Sequence, residues 1–251
     1  MVATKSSLRE DLQNLGVGPG EVLMVHSSLR ALGPVRGGAI VIVEALQETI
    51  GPDGTLFAYV DFEPYYEDDD TEEVPVFDKR IAPAARDHGI LHEVIRTWPG
   101  ALRSDHPDAG VVAIGPQAEW LVNPHPLQYG YGTGTPFARF VEAGGKVLML
   151  GAPLDTLTIL HYAEHLAQIP NKRLKHYRRL MPGQGWVEIE EFNTEIPVHE
   201  RLAEDYFSQI AEAALRVGLG RGGKVGQGRS ALFPAPELVR FAVEWIEREA
   251  G

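Results

Sequence analysis

The chain has 251 residues, of which 44% are hydrophobic and 23% charged, with a formal net charge of −12 and no cysteine. These values are typical of a single cytoplasmic enzyme domain spanning 1–251, and they argue against a membrane span, a secretory signal and a disulfide-stapled fold. The acidic balance also argues against nucleic-acid binding, which needs a basic surface, and it favours neutral or cationic partners.

Helices and short apolar strands alternate along the chain. In chain order, hydrophobic spacing and turn residues predict a helix at 5–16, a strand at 21–28, a helix at 37–51, a strand at 55–61, a helix at 89–100, a strand at 111–115, helices at 116–122 and 135–145, a strand at 146–153, a helix at 155–167, a two-stranded excursion at 175–192, and helices at 199–218 and 235–249. This alternation predicts an α/β fold with a largely parallel sheet. In such sheets, sites collect at the carboxyl ends of the strands.

The sharpest change in composition follows the second strand, where DFEPYYEDDDTEE (61–73) carries eight carboxylates. Most charge runs are solvated loops without a ligand, and that reading is open here. The alternative is a surface that holds a cation, since a strand end delivers the run to the edge of the sheet where sites collect. We treat 61–86 as a candidate substrate loop.

A glycine pair opens the helix after the first strand, in VHSSLRALGPVRGG (25–38). Unpaired amides at a helix start bind phosphate or pyrophosphate, and the serines and arginines of this stretch add donors and positive charge. The stretch is neither a G-x-G-x-x-G fingerprint nor a Walker A loop. An anion site and a serine-capped turn with surface arginines are therefore both open.

The string HYAEH (161–165) places two histidines and a glutamate on one helical face. A carboxylate beside an imidazole orients it and raises its basicity, so His161 with Glu164 is a candidate general base. The same string matches H-x-x-E-H, the spacing of some zinc peptidases, so a zinc-dependent hydrolase is an alternative. Two ordinary half-buried histidines are the third reading.

Four segments, taken in order, resemble the aminoglycoside 3-N-acetyltransferase family, the antibiotic acetyltransferases with a non-GNAT fold. They are LxxLGVGPGEVLMVHSSLRALGPVRGG, RSDHPDAGVVAIGP, GTGTPFARFVEAGGKVLMLGAP and DTLTILHYAEH. The final KVGQGRSALFPAPELVRFAVEWI also resembles the closing segment of the family. The resemblance implies a three-layer αβα sandwich that transfers the acetyl group of acetyl-coenzyme A (acetyl-CoA) to the 3-amine of the 2-deoxystreptamine ring, and thereby confers antibiotic resistance. It implies no metal. Some similar proteins acetylate amines that are not antibiotics, and that alternative stays open, as does a monomer or a homodimer.

The resemblance also assigns roles to individual residues. The catalytic residues that it implies are His161, Glu164, Asp61 and Glu191. The cofactor-binding residues that it implies are Ser27, Ser28, Leu29, Arg30, Val35, Arg36, Gly37, Gly38, Arg103 and Ser104. We expect the polycationic substrate to contact Asp61, Glu63, Tyr65, Tyr66, Glu67 and Glu190.

Overall fold

The computed structural model describes residues 2–62 and 75–251. Within these residues, nine strands are found: β1 Val22–Ser27, β2 Thr55–Tyr59, β3 Leu102–Arg103, β4 Val111–Ile114, β5 Lys146–Leu150, β6 Leu174–Met181, β7 Gly185–Phe192, β8 Arg221–Val225 and β9 Gly228–Pro234. Seven of these described strands form one sheet in the order β3-β4-β2-β1-β5-β9-β8. The other two, β6 and β7, form a separate antiparallel ribbon.

The centre of the sheet is parallel. β1 pairs in parallel with β2 on one side and with β5 on the other. β4 and β9 pair antiparallel to these outer partners, and β3 and β8 reverse direction again. Five of the seven described sheet strands therefore run in the same direction, which confirms the predicted α/β class with a largely parallel sheet.

Helices cover both faces of the sheet. The described helices are α1 Lys5–Leu15, α2 Leu29–Leu32, α3 Gly38–Ile50, α4 Ile90–Arg96, α5 Ala118–Val122, α6 Pro136–Glu142, α7 Leu160–Leu166, α8 Tyr206–Arg216 and α9 Ala235–Ala250. The apolar faces of α1 to α4 pack with one face of the sheet, and those of α5 to α9 pack with the other. These two cores form the predicted three-layer sandwich.

Two helices begin later than their hydrophobic spacing predicts. Residues 154–156 form a 3-10 turn, and α7 begins after Ile159, which offers no capping side chain. Helix α8 begins at Tyr206 rather than at residue 199, because the preceding residues form turns and bends. Val198 and Leu202 are buried there with the four-residue spacing of a helical face. This spacing explains why the helix was predicted to begin too early.

The hairpin of β8 and β9 was not predicted as two strands. β8 reads RGGKV and is exposed at four of its five positions, so it lacks the alternation of apolar and polar residues that marks a strand. The ribbon of β6 and β7 was predicted correctly, because Pro182 to Gly185 supply turn chemistry between two strand-like runs. In the part of the chain that the structure describes, no helix combines the length and apolarity that crossing a membrane requires.

Candidate active site

The carboxyl ends of β1, β2 and β5 lie side by side, because these three strands are parallel neighbours. Ser27 ends β1, Tyr59 ends β2 and Leu150 ends β5. The predicted polar segments after these strands therefore share one edge of the sheet. Helix α7 follows β5 after the 3-10 turn and packs in the core on the same side as α8 and α9.

A chain of three side chains ends at His161. The Nδ1 atom of His161 lies 2.5 Å from Oε2 of Glu164, three residues further along α7. The other oxygen of Glu164 accepts a hydrogen bond from the hydroxyl of Tyr206 on α8. Glu164 is 2% exposed, and burial together with the charge of Glu164 raises the pKa of the Tyr206 hydroxyl far above its ordinary value. Tyr206 therefore stays protonated and donates to the carboxylate, while Nε2 of His161 is the ring nitrogen left for a substrate.

The His161 ring is held from two sides. The ring of Tyr131 lies 4.9 Å from it, centre to centre, and the ring of Phe207 lies 4.9 Å away as well. The imidazole is 16% exposed and opens into a cleft of about 340 Å³, which we call the base cleft. The residues that line the base cleft are Asp155, His161, Thr194, Glu195, Ile196, Pro197, Glu204, Tyr206 and Phe207. A partly exposed base beside three carboxylates suits a cationic amine.

The second histidine of α7 has a different partner. Nε2 of His165 lies 2.8 Å from Oε1 of Glu191, and that carboxylate is 1% exposed as a residue. Glu191 was expected beside the catalytic histidine, but its hydrogen bonds are with His165 and with two backbone amides, not with His161. Among residues 2–62 and 75–251, no three His, Asp or Glu side chains are placed to hold a metal. His161 and His165 each bind a separate carboxylate, which differs from the shared ligand set of an H-x-x-E-H zinc site.

Glu190 points away from Glu191, on the other face of the ribbon. The carboxylate of Glu190 accepts a hydrogen bond from the hydroxyl of Tyr129 and lies 3.4 Å from Nδ1 of His176. It lines a cleft of about 670 Å³, the ribbon cleft, together with Gln128, Tyr129, His176, Tyr177, Arg178, Glu188 and Ile189. Glu190 is thus accessible, as a substrate-binding carboxylate has to be.

Asp61 follows β2 and pairs with Nε2 of His88. The ring of His88 lies 4.9 Å from that of Tyr59, and the Tyr59 hydroxyl lies 2.7 Å from that of Tyr131. Burial, and then the charge of Asp61, raise the pKa of the Tyr131 hydroxyl well above its ordinary value. Asp61 therefore acts electrostatically on the ring that packs against His161, although its own hydrogen bond is to His88. Glu63, Tyr65, Tyr66 and Glu67 lie outside the described residues.

The predicted anion site occupies the turn between β1 and α3. Ser28 caps α2 through a hydrogen bond from the Ala31 amide, and among the described residues the buried Ser27 hydroxyl has no hydrogen-bond partner. Gly37 and Gly38 have φ values of 91° and 64°, in the left-handed region that favours glycine. A Cβ on Gly37 would lie 2.3 Å from Cγ2 of Val41. Helix α3 thus begins without a side-chain cap. The Gly38 amide donates to the Val35 carbonyl at 3.1 Å, and the amides of the first turn that follow it are the ones that suit a phosphate.

The other expected cofactor residues have different placements. Leu29 and Arg30 lie in α2, and Val35 forms a bridge with Ala3, where the amide of Arg36 also donates to the Ala3 carbonyl. Arg103 is buried, donates to the carbonyls of Val60 and Ala82, and packs over Phe77. Ser104 is wholly buried. Its hydroxyl accepts a hydrogen bond from the Val111 amide and forms another with Nδ1 of His125. Arg103 and Ser104 thus make bonds within the fold, and their contact with a cofactor stays a prediction.

Several residues of the site were not found from the sequence. Tyr206 lies in the overextended α8 prediction, and no local pattern marks it. Tyr131 stands in the glycine-rich stretch GYGTGTP, and this richness in glycine was the signal that the sequence offered. The structure explains it by close packing, since a Cβ on Gly130 would lie 2.5 Å from Nε2 of His106. His88 and Phe207 carry no spacing signal, because their partners are distant in sequence.

The sequence is similar to a family of known enzymes over most of its length. Residues 24–247 match the family model described as aminoglycoside 3-N-acetyltransferase. Aminoglycoside N(3)-acetyltransferase III of a Salmonella species is 41% identical over 266 residues, which cover 99% of this chain and 93% of that protein. Aminoglycoside N(3)-acetyltransferase VIII of Streptomyces fradiae is 39% identical, with 99% and 93% covered.

Solved structures give the same result. AAC-IIIb in a binary complex with CoASH has a TM-score of 0.94 and 48% identity, covering 100% of this chain and 98% of that one. AAC-VIa bound to sisomicin has a TM-score of 0.92 and 38% identity, with 100% of both chains covered. Because both comparisons cover 100% of this chain, the similarity includes the segments that form the two clefts.

Proposed function

The chain belongs to the aminoglycoside 3-N-acetyltransferase family, and from this premise we propose that it acetylates the 3-amine of a 2-deoxystreptamine aminoglycoside with His161 as general base. The observation that carries the proposal is the hydrogen-bonded series Tyr206, Glu164 and His161, which ends at the base cleft. The solved relatives that hold CoASH and sisomicin support acetyl-CoA and an aminoglycoside as the two substrates.

The amines of an aminoglycoside are largely protonated at neutral pH, so the reacting amine has to lose a proton. In our proposal, Nε2 of His161 accepts it, while Glu164 holds Nδ1 and stabilises the imidazolium that forms. Tyr206 satisfies the second oxygen of Glu164, so the carboxylate keeps its orientation. The amine nitrogen then bonds to the acetyl carbon as the carbon–sulfur bond breaks. The nitrogen loses a second proton as the amide forms, and the departing thiolate takes up that proton. The products are the amide and CoASH, and His161 releases the first proton to solvent.

Acetyl-CoA supplies the acetyl group as an already activated thioester. The residues that fit it are the unpartnered Ser27 hydroxyl and the start of α3 after Gly37, which has no side-chain cap, with Arg30 and Arg36 nearby in sequence. Holding the two substrates together contributes a large part of the rate through effective molarity. Because the chain has no cysteine, we propose direct transfer without an acyl-cysteine intermediate.

The carboxylates around His161 suit a polycation. Asp155 and Glu204 are exposed residues of the base cleft, and Glu195 lies 3.0 Å from Nζ of Lys175. Opposite charges attract a polyamine over a distance set by the Debye length, about 8 Å at physiological salt. We propose that these side chains and Glu190 bind ammonium groups of the substrate. Asp61 and the acidic run that it begins stay a prediction for the same role.

The test is release of CoASH from acetyl-CoA by the purified protein. The amines are an aminoglycoside with a free 3-amine, the same compound already acetylated there, and a linear polyamine. We expect release only with the first, and a product that carries its acetyl group at position 3 by NMR. Release with the polyamine alone would favour a non-antibiotic acceptor. Stoichiometric zinc with hydrolysis and no transfer would favour the zinc hydrolase.

A further inference from the structure

His165 has no part in the proposed chemistry, yet it is firmly held. Its Nε2 lies 2.8 Å from Oε1 of Glu191, and the side chains of the pair are 9% and 2% exposed. The imidazole packs on the ring of Phe192 with 4.3 Å between the centres. Burying a carboxylate costs solvation free energy, so a buried pair is by itself weak evidence for a role in stability.

Glu191 connects α7 to the loop 129–132. One of its oxygens binds His165, and the other accepts a hydrogen bond from the backbone amide of Tyr131 at 3.4 Å. The same loop is joined to β7 by the Tyr129 amide, which donates to the Glu190 carbonyl at 2.9 Å. The loop approaches His165 so closely that a Cβ on Gly132 would lie 2.9 Å from its Nδ1. The imidazole therefore lies against the loop as well as against β7.

The loop in turn contacts the base. It carries Tyr131, whose ring lies 4.9 Å from that of His161 and whose hydroxyl lies 2.7 Å from that of Tyr59. His161 and His165 are four residues apart on α7, so they share one face of the helix. A shift of the loop would move an aromatic ring on one side of the base, while Phe207 stays on the other.

We propose that His165 is a positioning residue of the reaction: through Glu191 it fixes the loop 129–132 and holds Tyr131 against the general base His161. The proposal rests on the proposed function, since it needs His161 as the base. The side chain of His165 touches neither substrate in this scheme. The requirement is a nitrogen donor at the place of Nε2, within reach of Glu191.

Two substitutions separate this role from simple packing. His165→Gln keeps a nitrogen donor near the position of Nε2, and His165→Leu keeps an apolar volume without a donor. We expect His165→Leu to lower kcat by about 10- to 100-fold, the scale of a small misplacement in an active site, with KM for acetyl-CoA unchanged. His165→Gln should restore most of kcat. A packing role would give the opposite order, because leucine suits an apolar site better.

A double-mutant cycle tests the route through Tyr131. Tyr131→Ala removes the ring that His165 is proposed to place, so adding His165→Leu to it should cause little further loss. Hydrogen exchange of the loop 129–132 in the unliganded protein gives a readout that needs no activity. The exchange should accelerate in His165→Leu and stay slow in His165→Gln.

Wild-type kcat in His165→Leu, or losses that multiply in the double variant, would overturn the proposal. If His165→Leu does not fold, His165→Asn, whose amide is too short to reach Glu191, replaces it in the comparison with His165→Gln. Failure of the proposed function has a separate signature, namely no CoASH release by the wild-type protein with any aminoglycoside. In that case equal loop exchange in all variants would still refute the role of His165.

Discussion

Glu190 and Glu191 are adjacent in β7, and their carboxylates lie on opposite faces of the ribbon. Glu190 contacts Tyr129 and His176 and is 35% exposed at its side chain. Glu191 contacts His165 and is 2% exposed at its side chain. Successive side chains of a strand alternate between faces, so two identical residues receive different environments. The sequence alone leaves open which of the two faces the substrate.

Substitution by glutamine should separate the two glutamates. Glu190→Gln should raise KM for the aminoglycoside and leave the free energy of unfolding nearly unchanged, because the side chain is partly solvated. Glu191→Gln should lower the free energy of unfolding by about 1–3 kcal/mol, since it disturbs a buried charged hydrogen bond, and should reduce kcat. Urea unfolding and steady-state kinetics measure both. Identical behaviour of the two variants would contradict the assignment.

Removal of the base should act on the chemical step. We expect His161→Ala to lower kcat by about 10²- to 10⁴-fold, the usual contribution of a general base, with little change in either KM. The loss should shrink as the pH rises, because solution then supplies more of the neutral amine. Steady-state rates between neutral and alkaline pH measure this. An unchanged kcat at neutral pH would exclude His161 as the base.

The hydroxyl of Tyr206 should contribute both to stability and to rate. Tyr206→Phe leaves one oxygen of the buried Glu164 without this donor, which should cost about 1–3 kcal/mol in the free energy of unfolding. A lower kcat should accompany it, since Glu164 orients His161. Tyr162→Phe is the matched control, because Tyr162 lies on the same helix and none of the described residues bonds its hydroxyl. Equal effects of the two substitutions would remove the special role of Tyr206.

The site was predictable where its residues are close in the sequence. His161 and Glu164 share a helical face, and the glycine pair opens α3, so spacing and backbone requirements were sufficient. Tyr206, Tyr131 and His88 join the site only through tertiary packing, which no local pattern encodes. Arg103 and Ser104 lie in a segment that resembles the family, and burial gives them bonds within the fold, so their contact with the cofactor stays a prediction. The alternation of strands and helices was sufficient for the fold class, and it missed the short elements α2 and β3 and the glycine-rich hairpin.

A substitution at the start of α3 should weaken the binding of acetyl-CoA. Gly38→Ala places a side chain at a φ of 64°, and Gly20→Ala does so at 77°, with no atom within 4 Å of the added Cβ in either case. Both substitutions should lower the free energy of unfolding by about 1–2 kcal/mol, because the left-handed backbone conformation strains an alanine by about that amount. Only Gly38→Ala should raise KM for acetyl-CoA, because Gly20 lies at the opposite end of β1. Calorimetric binding of CoASH checks this, and equal affinities in both variants would contradict the phosphate site.

Acid should destabilise the fold through buried neutral histidines. Burial lowers the pKa of His106 to about 4 and that of His92 to about 4, below the ordinary value of 6.5. Between pH 6.5 and about 4 the unfolded chain binds protons that the folded protein does not, so the free energy of unfolding falls as the pH falls. At pH 5 each histidine should account for about 2 kcal/mol of this loss. His106→Asn keeps an acceptor for the amides of Asp108 and Ala109 but does not titrate. Urea unfolding at pH 7 and pH 5 should therefore show a smaller loss in that variant, and an equal loss would exclude His106 as a source.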